Sequence, residues 1–148
     1  MLPAARVAGE SISFGGYSFF PGPDPPLTKF FIVLALMPSD DIVSRLLTSR
    51  IHGRREAPPC FHGDPYPSYY LGVLGDPLTK KSWLDLRKFD DLDRSTIDRH
   101  YKKGLVTHVA TVSGQVLFEL MECAANADDT TTLQSRHILD ALSRIRNG

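Results

Sequence analysis

In the first half of the chain apolar residues come in short runs and alternations of strand length, and in the last third they recur at helical spacing. Positions 11–20 alternate at Ile12 and Phe14, cross Gly15-Gly16 and resume at Tyr17 and Phe19, which predicts a strand bent or bulged at the glycines. Pro21 to Pro26 holds too many prolines for regular structure and is a loop. The run Lys29 to Leu36 is rich in β-branched and aromatic residues and punctuated at both ends, the pattern of a central strand buried on both faces. Past a turn at Ser39-Asp40-Asp41, positions 42–50 alternate. Ile42, Ser44, Leu46 and Thr48 fall on one face, and Val43, Arg45, Leu47 and Ser49 on the other, so a hairpin with the preceding strand is the natural pairing. Positions 68–74 and 82–89 predict two more strands, with Trp83 as a core anchor.

Helical signals begin after Asp90. Asp93 caps a helix running to Lys103, with Ile97 and Tyr101 inward and Gly104 as its stop. Positions 106–112 alternate as a last strand. Val116, Leu117, Leu120, Met121 and Ala124 then form an apolar helical stripe after Ser113. Thr131 and Gln134 fit a capping box for a final helix through Arg146 that carries Leu133, Ile138, Leu142 and Ile145. Strands followed by helices predict one α+β domain over 1–148, either a small SH3-like barrel or a curved antiparallel sheet with C-terminal helices packed against it.

At 148 residues the chain is long enough to bury its own core, and 42% hydrophobic against 23% charged residues excludes wholesale disorder. Seventeen basic and seventeen acidic residues leave no global field, so attraction to a polyanion requires a local cluster. Cys60 and Cys123 lie in unlike contexts, which predicts free thiols in a reducing, cytoplasmic setting. His52 and His62 bracket Cys60 without a ligand spacing that fits zinc, and Asp85, Asp90, Asp91, Asp93 and Asp98 fit helix entry and surface roles better than a metal site. No apolar run reaches membrane-spanning length.

The one clearly basic segment is Arg45, Arg50, His52, Arg54 and Arg55, uninterrupted by any acidic residue. It opens the stretch 51–67, which has no periodicity and exceeds the usual length of a passive connection. Arginine forks match phosphate oxygens, and Phe61, Tyr66, Tyr69 and Tyr70 are candidates for stacking on bases, Tyr69 being the one assigned to the site. The competing reading is a solvated loop whose arginines pair with nearby carboxylates.

The order Leu27-Thr-Lys-Phe-Phe-Ile-Val-Leu-Ala35, then the strand ending Thr48-Ser49-Arg50, then Trp83-Leu-Asp-Leu86, Leu92-Asp93, Lys103-Gly104 and the helix after Ser113, resembles the MazF/PemK toxin family over residues 9–125. The segment 126–148 is an extension beyond it, either adding to a dimer interface or serving a separate partner. The resemblance implies a toxin-like endoribonuclease that cuts single-stranded RNA without metal or other cofactor. The ribose 2′-OH attacks, leaving a 2′,3′-cyclic phosphate and a 5′-OH. It also implies a homodimer and a cognate antitoxin.

Carried over by position, Lys29 takes the basic catalytic place and Thr48 the hydroxyl place, with Ser49 beside it. The family's Arg-Pro is Lys29-Phe30 here, which removes a bidentate fork. Arg50 and His52 share the parity of Thr48, so Arg50 replaces the lost guanidinium and His52, of a residue type that titrates near neutrality, serves as acid or base. The expected catalytic set is Lys29, Thr48, Arg50 and His52, and the RNA-binding set is Arg45, Ser49, Arg54, Arg55 and Tyr69. Two alternatives stand beside it: a catalytically silent module of the same fold that binds RNA or antitoxin, and a small-ligand or protein-interaction domain with 51–67 as a lid.

Overall fold

The computed structural model describes residues 17–20, 27–75, 78–88, 93–103, 106–107, 112 and 114–147. Seven strands are present among them: β1 (Tyr17–Phe20), β2 (Leu27–Leu36), β3 (Ile42–Thr48), β4 (Cys60–Phe61), β5 (Ser68–Gly72), β6 (Ser82–Asp85) and β7 (Val106–Thr107). The helices are α1 (Arg94–Lys102), α2 (Gly114–Ala125) and α3 (Thr132–Asn147). The strands form one antiparallel sheet in the order β4-β5-β6-β3-β2-β1-β7. The architecture is α+β with the C-terminal helices on the sheet. The sheet is open: among the described residues no pairing joins β4 to β7, so the closed-barrel form of the expectation is not what the strands make.

β2 is buried on both faces because its two parities serve two cores. Ile32 and Leu34 pack with Val43, Leu84, Leu86 and the inner faces of α2 and α3, while Phe31 and Val33 pack with Ile42 and with Ile97 of α1. Ile138, Ala141 and Leu142 of the C-terminal extension lie in the same core as α2, so α3 completes the domain's interior, and Leu133 and Leu139 remain on its exposed side. Val116, expected inside, is exposed: it lies in the first turn of α2, at the edge of the stripe centred on Leu117, Leu120, Met121 and Ala124. Trp83 is 1% exposed, tilted against Tyr70, and its indole N–H donates to the Arg55 carbonyl at 2.9 Å.

Local chemistry explains where the elements begin and end. Asp93 accepts the Thr96 N–H at the start of α1, and hydrogen bonds from Thr96 hold its carboxyl below the usual carboxylate range. Asp40, in the β2–β3 turn, takes the Ser95 hydroxyl at 2.7 Å and so ties α1 to the hairpin. At α3 both halves of the capping box form, Gln134 N–H to Thr131 Oγ1 and Thr131 N–H to Gln134 Oε1, each at 3.0 Å. Thr131→Ala is therefore expected to lower the unfolding free energy by about 1 kcal/mol, read as a lower urea midpoint with an unchanged slope.

Several boundaries differ from expectation. β3 stops at Thr48 because Thr48 Oγ1 accepts the Arg50 N–H at 3.2 Å, turning the chain out of the ladder. β6 stops at Asp85, whose carboxylate accepts the Arg87 N–H at 3.0 Å. β5 ends at Gly72, at φ 76°. β4 was not foreseen within 51–67. The expected bend at Gly15-Gly16, the Pro21–Pro26 loop, the Gly104 stop and the remainder of the 106–112 strand, Val112 aside, lie outside the described residues.

The expectation of free thiols is overturned: Cys60 and Cys123 form a disulfide. β4 lies against α2 and brings their Cα atoms to 5.9 Å, within the window for a bridge, a proximity that 63 intervening residues conceal in the sequence. Among the described residues no helix is long and apolar enough to cross a membrane.

Candidate functional site

The two faces of β3 lead to different chemistry. Val43 and Leu47 face the helices, and Arg45 shares their parity: it is 1% exposed, its Nη1 donating to the Ser44 carbonyl at 2.7 Å and its Nη2 to Thr130 Oγ1 at 3.3 Å. Arg45, assigned to the RNA-binding surface, is thus a buried cation tying the sheet to the α2–α3 connection. It cannot reach a ligand on the other face.

The opposite parity, Leu46 and Thr48, lines a cleft of about 730 Å³. Beyond Thr48 the chain is no longer extended, so the parity argument for Arg50 and His52 does not hold, yet the loop brings both to the same cleft. His52 and Gly53 adopt positive φ (39° and 81°), and the Arg54 N–H donates to the Ile51 carbonyl at 2.6 Å, a type I′ turn that folds the basic segment back over the strand end. Thr48, Ser49, Arg50, His52 and Arg54 all line the walls.

Arg54 is the buried cation of this lining. It is 7% exposed, donates to the Arg50 carbonyl at 2.8 Å, lies 3.7 Å from Asp85 and stacks over the Tyr66 ring at 4.6 Å. Burial draws its pKa below the ordinary guanidinium value, and Asp85 opposes that. Asp85 in turn holds Arg87 through both carboxylate oxygens, at 3.0 Å from Nε and 2.7 Å from Nη2. Arg87 covers the Tyr66 ring at 5.1 Å, and His52 stacks on that ring at 5.7 Å. The aromatic surface is thereby held between cations and an imidazole. Arg50, Arg54, Lys80 and Arg87 line the cleft against a single carboxylate, Asp85, so the described lining is net positive.

Lys29 lies on β2 opposite Ser18 of β1, and its side chain is outside the described residues. The β2–β3 ladder pairs Phe31 with Leu46, and continuing that register two residues sets position 29 across from Thr48.

A further assignment is corrected. Tyr69 is buried, its hydroxyl donating to Glu119 of α2 at 3.1 Å, and burial with the Glu119 contact pushes the phenol up to about 12. It belongs to the sheet–helix interface. Arg55 is exposed but sits over the Phe61 ring at 4.4 Å, outside the cleft lining. The aromatic side chains of the cleft lining are Phe30 and Tyr66. Lys80, Asp85 and Arg87 were missed, although Asp85 and Arg87 two apart at a strand end are a recognisable local ion pair. Comparison of the chain with protein-family models, with curated proteins and with solved structures finds no match.

Proposed function

We propose that this chain is a MazF/PemK-like endoribonuclease acting on single-stranded RNA in the cytoplasm, with a distorted relative of that family's SH3-like barrel as its scaffold. The observation that carries the reading is the convergence of Thr48, Arg50 and His52 on one cationic cleft beside the register position of Lys29. The chemistry asks for cations and a hydroxyl around a pentavalent phosphorane, a group to take the 2′-proton and one to protonate the leaving 5′-oxygen. Thr48 Oγ1 accepts the Arg50 N–H, which leaves its own O–H available to donate to a phosphate oxygen. Arg50 and Lys29 neutralise developing charge, and His52 moves the proton. Arg54, Arg87 and His52 cover the Tyr66 ring, so Tyr66 positions the imidazole and the cations at the cleft instead of stacking on a base. A second copy of the chain and an antitoxin with an acidic segment are the partners this reading entails.

The silent-module alternative is favoured by Lys29-Phe30 standing where the family has Arg-Pro. The lid alternative is weakened because 51–67 is fixed at Arg55 by Trp83, at Cys60 by the disulfide and at β4 by β5.

The deciding assay incubates the protein with single-stranded RNA in excess chelator. Cleavage with 2′,3′-cyclic phosphate and 5′-OH ends supports the enzyme. RNA binding without cleavage supports the silent module, and neither removes both. Binding through the cleft cations is expected to weaken steeply with salt, with a log–log slope of about −0.7 per phosphate neutralised. A salt-independent affinity would count against the cleft as a phosphate grip.

A further inference from the structure

The sulfurs of Cys60 and Cys123 have a third neighbour, placed by neither the sheet nor the helices. His62, one residue beyond β4, sets its Nε2 3.4 Å from Cys60 Sγ and 3.5 Å from Cys123 Sγ, and all three atoms lie within 4.8 Å of one another. We propose that, once a reductant opens the disulfide, Cys60, Cys123 and His62 bind Zn²⁺, which replaces the covalent tether with a coordinate one. The site is independent of the ribonuclease reading.

The distances carry the argument. Zinc bonds of about 2.3 Å to sulfur and about 2.0 Å to nitrogen, at tetrahedral angles, require N···S spans of about 3.5 Å. Both spans are present before any metal arrives. The sulfurs alone must part, to about 3.8 Å by the same geometry, and side-chain rotation provides that when the bond between them is gone. The donor set of two thiolates and an imidazole suits a thiophilic ion and not magnesium or calcium. Cys123 is buried and Cys60 half-buried, whereas His62 is exposed, so an ion has an open approach and a solvent molecule completes the fourth position.

The bookkeeping of protons and electrons closes. A dithiol supplies two electrons and two protons to the disulfide, giving two thiols and its own oxidised form. Zn²⁺ then displaces both thiol protons. His62 Nε2 also contacts the Cys123 carbonyl at 2.9 Å, and this contact is given up: the ligating tautomer carries its proton on Nδ1 and presents a bare Nε2 to the metal. In the oxidised protein the sulfurs have no thiolate to offer, so the site exists in one redox state only. The stretch 51–67, which supplies one wall of the cleft, stays joined to α2 in both.

The test titrates Zn²⁺ into the full chain, oxidised and phosphine-reduced, against a chromophoric chelator, with Co²⁺ as a spectroscopic probe. Reduced protein is expected to bind one equivalent and to show thiolate-to-cobalt charge-transfer absorption. The oxidised form should bind at least about 100-fold more weakly, and reduced His62→Ala about 10-fold more weakly than the reduced wild type. The variant keeps both cysteines, so its oxidised form reports separately on folding. Equal zinc affinity of oxidised and reduced protein overturns the proposal, as does equal affinity of reduced wild type and reduced His62→Ala. If reduction alone unfolds the chain, recovery of its circular dichroism on adding Zn²⁺ supports the site and failure to recover overturns it.

Discussion

Arg50→Ala is expected to slow cleavage of single-stranded RNA by about 10²- to 10³-fold, the loss typical of removing one donor aimed at transition-state charge. Arg50 is exposed at the cleft rim, and among the described residues its side chain has no partner, so the substitution leaves the fold intact. Its backbone N–H still donates to Thr48, which keeps the strand end in place. The loss should therefore appear in kcat/KM with unchanged circular dichroism and an unchanged urea midpoint. Thr48→Ala removes one neutral donor and should cost less, about 10²-fold at most. Arg55→Ala, outside the cleft, serves as the charge-matched control and should stay within about twofold, as surface substitutions usually do. Equal rates for Arg50→Ala and Arg55→Ala would mean that the basic segment acts only as a diffuse field and that the site is misassigned.

Trp83→Ala is expected to lower the unfolding free energy by about 3–5 kcal/mol, the range for deleting a large aromatic side chain from a core that cannot collapse around the void. Trp83 is the largest fully buried side chain described. Its removal also strands the Arg55 carbonyl that its indole N–H satisfies. Trp83→Phe separates the two effects: it keeps most of the ring volume, loses the hydrogen bond and should cost about 1–2 kcal/mol. Because that bond fixes the loop carrying the basic segment, Trp83→Phe should also lower kcat/KM under conditions where the protein remains folded. A Trp83→Ala loss below about 1 kcal/mol would show that β6 is not held by this anchor.

Much of the scaffold was legible because its signals are local. Alternation at 42–48 assigned the two faces of β3, the uninterrupted apolar run at 30–36 marked the doubly buried strand, and Thr131 with Gln134 placed the start of α3. The same alternation put Arg45 on the face opposite Thr48. Counting it among the ligand-facing arginines ignored information the pattern contained, since a cation on an inward parity is a buried structural group. Arg50 and His52 reached the cleft by a route that parity does not describe, a hydroxyl-capped strand end and a type I′ turn. Tyr69 turns to α2 and Tyr66 to the cleft, which is long-range information that the segment itself does not hold. The disulfide was hidden for the same reason. Cys60 meets Cys123 only after the sheet has formed and α2 has docked on it.

Arg54 shows what such an arrangement does for recognition. A guanidinium sunk among Asp85, the Arg50 carbonyl and the Tyr66 ring cannot move without uncovering an unpaired charge, so the strand end, the turn and the Tyr66 ring around it are locked together. A guest entering this hollow meets walls already in their final places, and little of its binding energy is diverted into shaping the host.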